Sequence, residues 1–281
     1  MKIEFTKMQG LGNDFILIDD SEGDLALQPE QVRFLCDRHF GIGADGIITV
    51  GPSTRADLKM RIFNPDGSEP EMCGNGIRCL ALYARQRGLV TEEEIRVETR
   101  AGIMRPRIKD DLIVVDMGEP ELSGPLIPVN LPGKVIDHPV KFGGTAFSIT
   151  CVSMGNPHCV LFFPPDQTLP VEELGPVIET DKLFPGKTNV EFVQVIDREE
   201  INLSVWERGA GRTLACGTGA CAAVVAGVLN NKMGRRVLVH LPGGDLRVEW
   251  ESDNHLFLAG PVAFVFTGEV DVWGISKWNK W

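Results

Sequence analysis

The amino-acid sequence predicts an α/β protein built from two similar halves. The tetrapeptide Cys-Gly-Asn-Gly at 73–76 recurs as Cys-Gly-Thr-Gly at 216–219, an offset of 143 residues. Gly12-Asn13 recurs at the same offset as Gly155-Asn156. Short runs of alternating or apolar residues predict strands around each motif, and apolar residues at helical spacing follow each cysteine. Several matches at one offset indicate a duplicated chain.

In the first half, strands are predicted where apolar residues alternate with polar ones or form short runs. They cover residues 3–5, 15–19, 47–50, 58–63, 95–98, 103–108 and 112–117. Helices are predicted over 30–38 and 75–87. The second has apolar Ile77, Leu80 and Ala84 at helical spacing, and Gly88 is placed to end it.

A proline-rich stretch at 118–144 is the predicted domain boundary. The second half then repeats the order of the first. Its predicted strands cover residues 146–152, 158–163, 190–196, 201–206, 237–240, 246–250, 256–258 and 262–266. Helices are predicted over 171–178 and 216–229, the latter rich in Ala and Val and therefore expected to be buried.

Composition excludes several function classes. The chain has 281 residues, a formal net charge of -11 and seven cysteines. A negative chain lacks the positive footprint that nucleic acid or an anionic membrane requires, so neither partner is expected. The N-terminus carries no apolar signal-peptide core, which favours a cytoplasmic protein with reduced thiols. The sequence leaves open whether the chain forms a homodimer.

Neither a metal site nor a nucleotide site is predicted. Cys73 to Cys79 and Cys216 to Cys221 lack the C-x2-C spacing of structural zinc sites. The G-x-G-x-x-G pattern at 41–46 precedes a predicted strand instead of the helix that a dinucleotide site needs, so it is interpreted as a tight turn.

Cys73 and Cys216 each precede a predicted helix, where unpaired N–H groups and the helix dipole favour an anion. Three interpretations are open. The cysteines are small core residues, or a dithiol redox pair, or acid–base groups. Flanking glycines favour the last, because they open the backbone to a ligand. A thiolate on one face of an amino-acid α-carbon and a thiol on the other would invert the centre without a cofactor.

The chain also resembles the diaminopimelate epimerases, which are independent of pyridoxal phosphate. The resemblance runs nearly end to end. Its motifs are MQGLGNDF at 8–15, NPDG at 64–67, MCGNGIRC at 72–79, GNPH at 155–158, TNV at 188–190, ERG at 207–209, CGTGA at 216–220 and GPVA at 260–263.

The resemblance implies two α/β domains, each a mostly antiparallel β-sheet wrapped around a central helix, with the active site in the cleft between them. The domains would be 1–117, with about 267–281 returning to it, and 118–266. The implied reaction interconverts LL- and meso-diaminopimelate, which feeds lysine and cell-wall synthesis.

The resemblance also implies roles for individual residues. Cys73 and Cys216 would be the two bases, and Glu207 and His158 would lie beside the thiols, orienting the substrate ammonium group or tuning thiol protonation. Backbone N–H groups, and the Thr218 hydroxyl, would bind the carboxylate of the reacting centre; they belong to Gly74, Asn75, Gly217 and Thr218. The distal end of the substrate would be held by Asn13, Asn64, Asn156, Asn189 and Arg208.

Plainer interpretations remain open for some of these residues. Asn13 and Asn156 also suit turns, His158 a buried strand position, and Arg208 a surface charge. Some members of the family have glutamine where this chain has Gly46, so a substrate contact from that loop is in doubt. The alternatives to an epimerase of this substrate are a proline or hydroxyproline racemase and a non-catalytic binding protein of the same fold.

Overall fold

Residues 2–272 are described by the computed structural model, in which the chain divides into two units. The first unit comprises Met1–Val115 and Gly260–Trp281, and the second comprises Asp116–Ala259. Residues 273–281 of the predicted C-terminal return lie outside the described residues. No described helix is long and apolar enough to cross a membrane.

The described strands are, in chain order, β1 (Lys2–Gly10), β2 (Asn13–Asp19), β3 (Gly46–Gly51), β4 (Leu58–Phe63), β5 (Val97–Thr99), β6 (Gly102–Met104), β7 (Arg107–Lys109), β8 (Leu112–Asp116), β9 (His138–Phe142), β10 (Thr145–Ser153), β11 (Pro157–Phe163), β12 (Asn189–Val195), β13 (Glu200–Glu207), β14 (Gly211–Thr213), β15 (Arg236–Leu241), β16 (Gly244–Trp250), β17 (Leu256–Gly260) and β18 (Ala263–Asp271). The described helices are α1 (Pro29–Cys36), α2 (Gly74–Gln86), α3 (Val171–Glu179) and α4 (Gly217–Leu229).

Both units contain a mixed, mostly antiparallel sheet. In the first unit the strand order is β18-β1-β2-β3-β4-β5-β6, and β7 forms a hairpin with β8. In the second unit the order is β17-β16-β15-β13-β12-β11-β10-β9, with β14 paired to the end of β13. The parallel pairs fall in corresponding places, at β2–β3 and β4–β5 in one unit and at β11–β12 and β13–β15 in the other.

The duplication predicted from the motifs extends to strand register. Strand β1 starts at Lys2, and β10 starts 143 residues later, at Thr145. Helix α4 likewise starts 143 residues after α2. Phe15 of β2 pairs with Gly46 of β3, and at the same offset His158 of β11 pairs with Asn189 of β12. A residue in one half therefore has a defined structural counterpart in the other.

Each central helix is covered by its sheet, as the α/β fold prediction requires. Helix α2 contacts β1, β2, β3 and β4, and α4 contacts β10, β11, β12, β13 and β16. Helix α2 buries Ile77, Leu80 and Ala84, the apolar positions that predicted it. Most of α4 is Ala, Val and Gly and is buried, because small residues let strands approach it closely.

The predicted strands differ from the structure in several places, among them the first and last strands, since β1 and β18 are longer than the predicted 3–5 and 262–266. The predicted strand at 103–108 is two strands, β6 and β7, separated by Pro106, which has no N–H to donate to a ladder. The predicted loop at 118–144 contains β9, whose His-Pro-Val start gave no strand pattern. The short β14 was also missed, because its Gly-Arg-Thr sequence carries no apolar alternation.

A charge network fixes the start of β2 in the first unit. Lys7 Nζ lies 2.6 Å from Asp14 Oδ2, with side chains only 7% and 15% exposed. Arg38 donates to both oxygens of Asp14, at 3.1 and 2.7 Å, and to Asp45 at 2.7 Å. Burial would raise the pKa of Asp14, but the hydrogen bonds from Arg38 and Lys7 outweigh it and lower the pKa to about 2. Asp14 is therefore a carboxylate at neutral pH.

Replacing this carboxylate should destabilise the protein in a pH-dependent way. Asp14→Asn leaves Lys7 buried without its counter-charge, which costs about 3 kcal/mol of unfolding free energy at pH 7. The folded pKa of Asp14, about 2, lies below the ordinary value of 3.8. The stabilisation is thus present above about pH 4 and is lost as pH falls toward 2.

Urea unfolding of the wild type and of Asp14→Asn at pH 7 and at pH 3 measures this difference. The exposed Asp111→Asn is the control, expected to change stability by less than about 0.5 kcal/mol. A difference between wild type and Asp14→Asn that is equally large at both pH values would contradict the ionic account.

Candidate active site

Cys73 is the residue that precedes helix α2. Its backbone is extended, with φ -140° and ψ 121°, which makes it the N-cap, and its side chain accepts no hydrogen bond from its own helix. The thiol is partly exposed and donates toward Asn13 Oδ1 at 3.9 Å. The first-turn N–H groups that follow are those a helix leaves without intrahelical carbonyl partners. Gly74 and Asn75, both predicted to bind a carboxylate, supply two of them.

Asp45 orients the side chain of Asn13. Asn13 Nδ2 donates to Asp45 Oδ2 at 2.9 Å, so its Oδ1 faces the opposite way, toward Cys73 and Asn75. Asn75 Nδ2 donates to the same Oδ1 at 3.1 Å. The amide of Asn13 thus presents an acceptor to the Cys73 thiol. Asp45 was not predicted as a site residue, because its contact depends on β2 and β3 being neighbours.

Arg78 lies under the first turn of α2. The side chain is fully buried, and its guanidinium donates to Gly74 O at 3.2 Å and to Asn75 Oδ1 at 2.9 Å. It therefore fixes the Asn75 side chain and adds positive charge near the helix N-terminus. Sequence reasoning assigned Arg78 no role, since a helical arginine is usually solvated.

Cys216 is the N-cap of α4, the counterpart of Cys73, and is only 5% exposed. Its sulfur accepts the backbone N–H of Gly219 at 3.4 Å and lies 3.5 Å from Thr218 Oγ1. Burial raises the pKa of the Cys216 thiol well above its ordinary value, and Glu207 raises it further, while the hydrogen bonds from Thr218 and Gly219 lower it. Those two donors favour the thiolate against the effect of burial.

His158 is fully buried beside this cysteine motif, and both ring nitrogens have partners. Nδ1 lies 2.7 Å from Glu191 Oε1 and Nε2 lies 2.9 Å from Asn156 Oδ1. Asn156 in turn donates through Nδ2 to Thr218 Oγ1 at 3.3 Å. Glu191 was missed at the sequence level. Its signal was a lone acid inside the apolar run that forms β12.

Glu207 and Arg208 lie at the end of β13, where a separate acid supports them. Glu207 Oε1 accepts a 2.6 Å hydrogen bond from Thr213 Oγ1, and the exposed Arg208 donates to Gly186 O at 3.2 Å. Glu179, on α3, accepts from Trp206 Nε1 at 2.8 Å and from Gly209 N at 3.1 Å. Glu179 therefore holds the residues on both sides of Glu207 and Arg208 by hydrogen bonds.

The two remaining predicted asparagines are held differently. Asn189 is buried, and its amide bridges main-chain groups, donating to Pro157 O at 2.8 Å and accepting from Arg208 N at 2.9 Å. Asn64 is partly exposed and donates to Ser68 Oγ at 3.0 Å. Asn189 therefore joins the start of β11 to the residue that follows β13.

Gly46 is the first residue of β3, directly paired with Phe15. A Cβ at this position would lie 2.7 Å from Phe63 O, so close packing between β3 and β4 requires glycine here. Among the described residues, no cluster of three or more His, Cys, Asp or Glu side chains is arranged to hold a metal ion.

Known structures share this fold at low sequence identity. A PhzF-family phenazine biosynthesis protein of Bacillus anthracis aligns with TM-score 0.71 at 18% identity, covering 97% of this chain and 100% of the other. A hydroxyproline epimerase of Agrobacterium vitis, with trans-4-hydroxy-L-proline bound, aligns with TM-score 0.68 at 13% identity, covering 96% and 91%. At these identities the likeness shows the fold alone.

Sequence comparison shows the family. The family model for diaminopimelate epimerase matches residues 5–123 and 150–265. The diaminopimelate epimerase of Pelotomaculum thermopropionicum is 54% identical over 275 residues, covering 95% of this chain and 98% of the relative. That of Synechocystis sp. is 50% identical over 279 residues, covering 97% and 100%. The chain belongs to the diaminopimelate epimerase family.

Proposed function

We propose that this protein is an isomerase that interconverts LL-2,6-diaminopimelate and meso-diaminopimelate without pyridoxal phosphate or a metal. The observation that carries the proposal is the repeated placement of Cys73 and Cys216 as N-caps of the two central helices. Relatives that are 50% and 54% identical over nearly the whole chain are named diaminopimelate epimerase. Lysine and cell-wall precursor synthesis in the cytoplasm is the corresponding cellular setting.

Cys73 and Cys216 act as two bases on opposite faces of the α-carbon. One cysteine, as the thiolate, takes the α-proton and becomes a thiol, which leaves the electron pair on the α-carbon. The other cysteine, as the thiol, returns a proton to the opposite face and becomes the thiolate. The configuration inverts, no proton is gained or lost overall, and the reverse reaction exchanges the two roles.

The helix N-termini stabilise the charge that develops on the substrate. Deprotonation places negative charge on the α-carbon and its carboxylate. Backbone N–H groups of Gly74, Asn75, Gly217 and Thr218 are suited to receive that carboxylate, because the N-terminus of a helix carries partial positive charge and unpaired N–H groups. Buried Arg78 adds a fixed positive charge beneath the first of these turns.

The other polar residues divide into two groups by their contacts. Arg208 is exposed and suits bidentate binding of the distal carboxylate. Asn64 is partly exposed and is proposed to hold the same end of the substrate. Glu207 is suited to the substrate ammonium group. Asn13, Asn156 and Asn189 already hold neighbouring groups through their amides, so they act mainly by positioning those groups.

A proline or hydroxyproline racemase remains the second candidate, but it is not favoured. The fold of the hydroxyproline epimerase is shared, yet only 13% of residues are identical. Arg208 would have no distal carboxylate to bind in proline. Identity of 50% or more to the diaminopimelate epimerases therefore decides between them.

Either cysteine alone should be insufficient for epimerisation. Cys73→Ala and Cys216→Ala are each expected to lower kcat by at least about 1,000-fold, because each removes a proton donor and acceptor on one face. Conversion of LL- to meso-diaminopimelate, followed by chiral chromatography, measures this loss. Proline is expected to be left unchanged by the wild type.

The control is Cys36→Ala in the core of the first unit. Burial raises the pKa of the Cys36 thiol to about 12, so it is not a thiolate near neutral pH, and the variant should keep kcat within about twofold. Retention of epimerisation in either Cys73→Ala or Cys216→Ala, or racemisation of proline alone, would refute the proposed function.

Arg208 should govern affinity more than turnover. Arg208→Lys loses the planar fork that matches a carboxylate, so KM for diaminopimelate should rise about tenfold or more, while kcat changes by less than about threefold. Initial rates over a range of substrate concentrations separate the two constants. Arg212→Lys, at an exposed arginine paired with Glu172, is the matched control and should leave KM unchanged. A fall in kcat without a change in KM would contradict the role assigned to Arg208.

A further inference from the structure

The two halves of the duplicated fold differ beneath the third residue of each cysteine helix. In the first unit, a Cβ on Gly76 would lie 3.0 Å from Ile48 Cδ1. At the offset of 143, a Cβ on Gly219 would lie 2.9 Å from Glu191 Oε1 and 3.3 Å from Cys216 Sγ. Ile48 thus corresponds to Glu191. The residue of the neighbouring strand that contacts Glu191 through its side chain is His158, and at the same offset His158 corresponds to Phe15.

The His158–Glu191 pair is not needed to fold this arrangement. Phe15 and Ile48 are 2% and 0% exposed, so the same two positions are occupied by apolar side chains in the first unit. His158 and Glu191 are both 0% exposed, and Glu191 Oε2 has no hydrogen-bond partner among residues 2–272. Removing a carboxyl from water and leaving one oxygen unpartnered is costly, and burial accordingly raises the pKa of Glu191. The His158–Glu191 pair costs stability, and the first unit folds with apolar residues at the corresponding positions. This indicates a functional role for the pair.

The hydrogen bonds around His158 have a defined direction. Asn156 Oδ1 can only accept, so His158 Nε2 carries a hydrogen. A single proton is then shared between Nδ1 and Glu191 Oε1, and the pair carries no net charge wherever that proton lies. Because its Oδ1 is engaged by His158, Asn156 must turn its Nδ2 toward Thr218.

The same donor-to-acceptor direction continues from Asn156 through Thr218 to the sulfur of Cys216. Thr218 Oγ1 accepts from Asn156 Nδ2 at 3.3 Å, which leaves the hydroxyl hydrogen for Cys216 Sγ, 3.5 Å away. Gly219 N–H is the second donor to this sulfur. In the first unit the corresponding amide has the opposite polarity, since Asn13 presents Oδ1 to Cys73. Two hydrogen bonds are therefore directed onto the sulfur of Cys216, which favours a thiolate there, whereas the Cys73 thiol donates to Asn13.

We propose that Glu191 is a positioning residue of the epimerase reaction, which acts through His158, Asn156 and Thr218 to direct a hydrogen bond onto Cys216 and so favour its thiolate. Glu191 touches no substrate in this role. The inference rests on the proposed function of Cys216 as a base. The charged groups that act on Cys216 are Glu207 and Glu191, and a negative charge on either raises the pKa of the thiol, so this effect must be separated from that of the hydrogen bond.

The double variant His158→Phe, Glu191→Ile separates them. It installs the pair found at the corresponding positions of the first unit and removes no net charge. The expected result is a folded protein with a melting temperature equal to or above that of the wild type, and a kcat/KM lowered at least about tenfold. Wild-type kcat/KM in a folded double variant would overturn the proposal.

The substrate-independent measurement is thiol titration. Iodoacetamide alkylation as a function of pH, with peptide mass spectrometry, reports Cys216 and Cys73 separately in the same sample. The midpoint for Cys216 should move to higher pH in the double variant, and that for Cys73 should stay unchanged. An unchanged Cys216 midpoint would overturn the proposal even if activity fell. If the proposed function itself were wrong, the wild type would not epimerise diaminopimelate, while the alkylation midpoint of Cys216 would still differ between the wild type and the double variant.

Two further variants test the route. Thr218→Val removes the hydroxyl that donates to Cys216 and should by itself raise the midpoint pH of Cys216 alkylation. In the double variant it should add little, because both changes interrupt the same series of hydrogen bonds. If the midpoint shifts of Thr218→Val and of the double variant added fully, the proposed series of hydrogen bonds would be contradicted. Glu191→Gln keeps a side chain that can hydrogen-bond His158 Nδ1 and should retain more activity than Glu191→Ile. Equal losses in the two single variants would show that the hydrogen bond to His158 is not what matters.

Discussion

The N-terminus of a helix covered by a β-sheet is the constraint on which this structure depends. A helix leaves its first N–H groups without internal partners, and burying the rest of the helix in a sheet fixes where those groups point. In both halves, the residue that enters the helix is a cysteine with extended backbone. The same strands that bury α2 and α4 therefore also position a sulfur atom beside a cluster of aligned dipoles. Fold and chemistry are joined at the N-cap.

Duplication supplies this arrangement twice, and the departures from symmetry make the two copies chemically different. Asn13 is anchored by Asp45, whereas Asn156 is anchored by His158. Asn13 consequently presents an oxygen to Cys73, whereas Asn156 presents its Nδ2 to Thr218. A reaction that needs one proton acceptor and one proton donor suits two such unlike copies. The buried His158–Glu191 pair is another departure, since the corresponding residues of the first unit, Phe15 and Ile48, are apolar and buried.

Local sequence predicted the helices of the site well. The glycines around each cysteine and the apolar spacing of Ile77, Leu80 and Ala84 indicated α2 to within a residue or two of its bounds. Helix α4, at Gly217–Leu229, was predicted over 216–229. These features depend on neighbours in the chain, so periodicity and capping reveal them. The resemblance to a family supplied the substrate, which no periodicity could have indicated.

Contacts that depend on strand order were not predictable in this way. Glu191 meets His158 because β11 and β12 are parallel neighbours, and Asp45 meets Asn13 because β2 and β3 are. A single sequence does not reveal such pairings, and a lone acid in an apolar strand has no obvious partner until the register is known. The small strands β9 and β14 were missed for a related reason, as their pairing partners stabilise them more than their own propensity does.

The most direct test of two opposed cysteine bases is the fate of the α-hydrogen itself. LL-Diaminopimelate deuterated at both α-carbons can be converted to the meso form in ordinary water and stopped early in the reaction. Two bases predict that the inverted carbon carries protium in essentially all of the product, because the deuterium leaves on one thiol and the new proton arrives from the other. Deuterium retained at the inverted carbon in a large fraction of the product would mean that one group both removes and returns it, which would contradict the account.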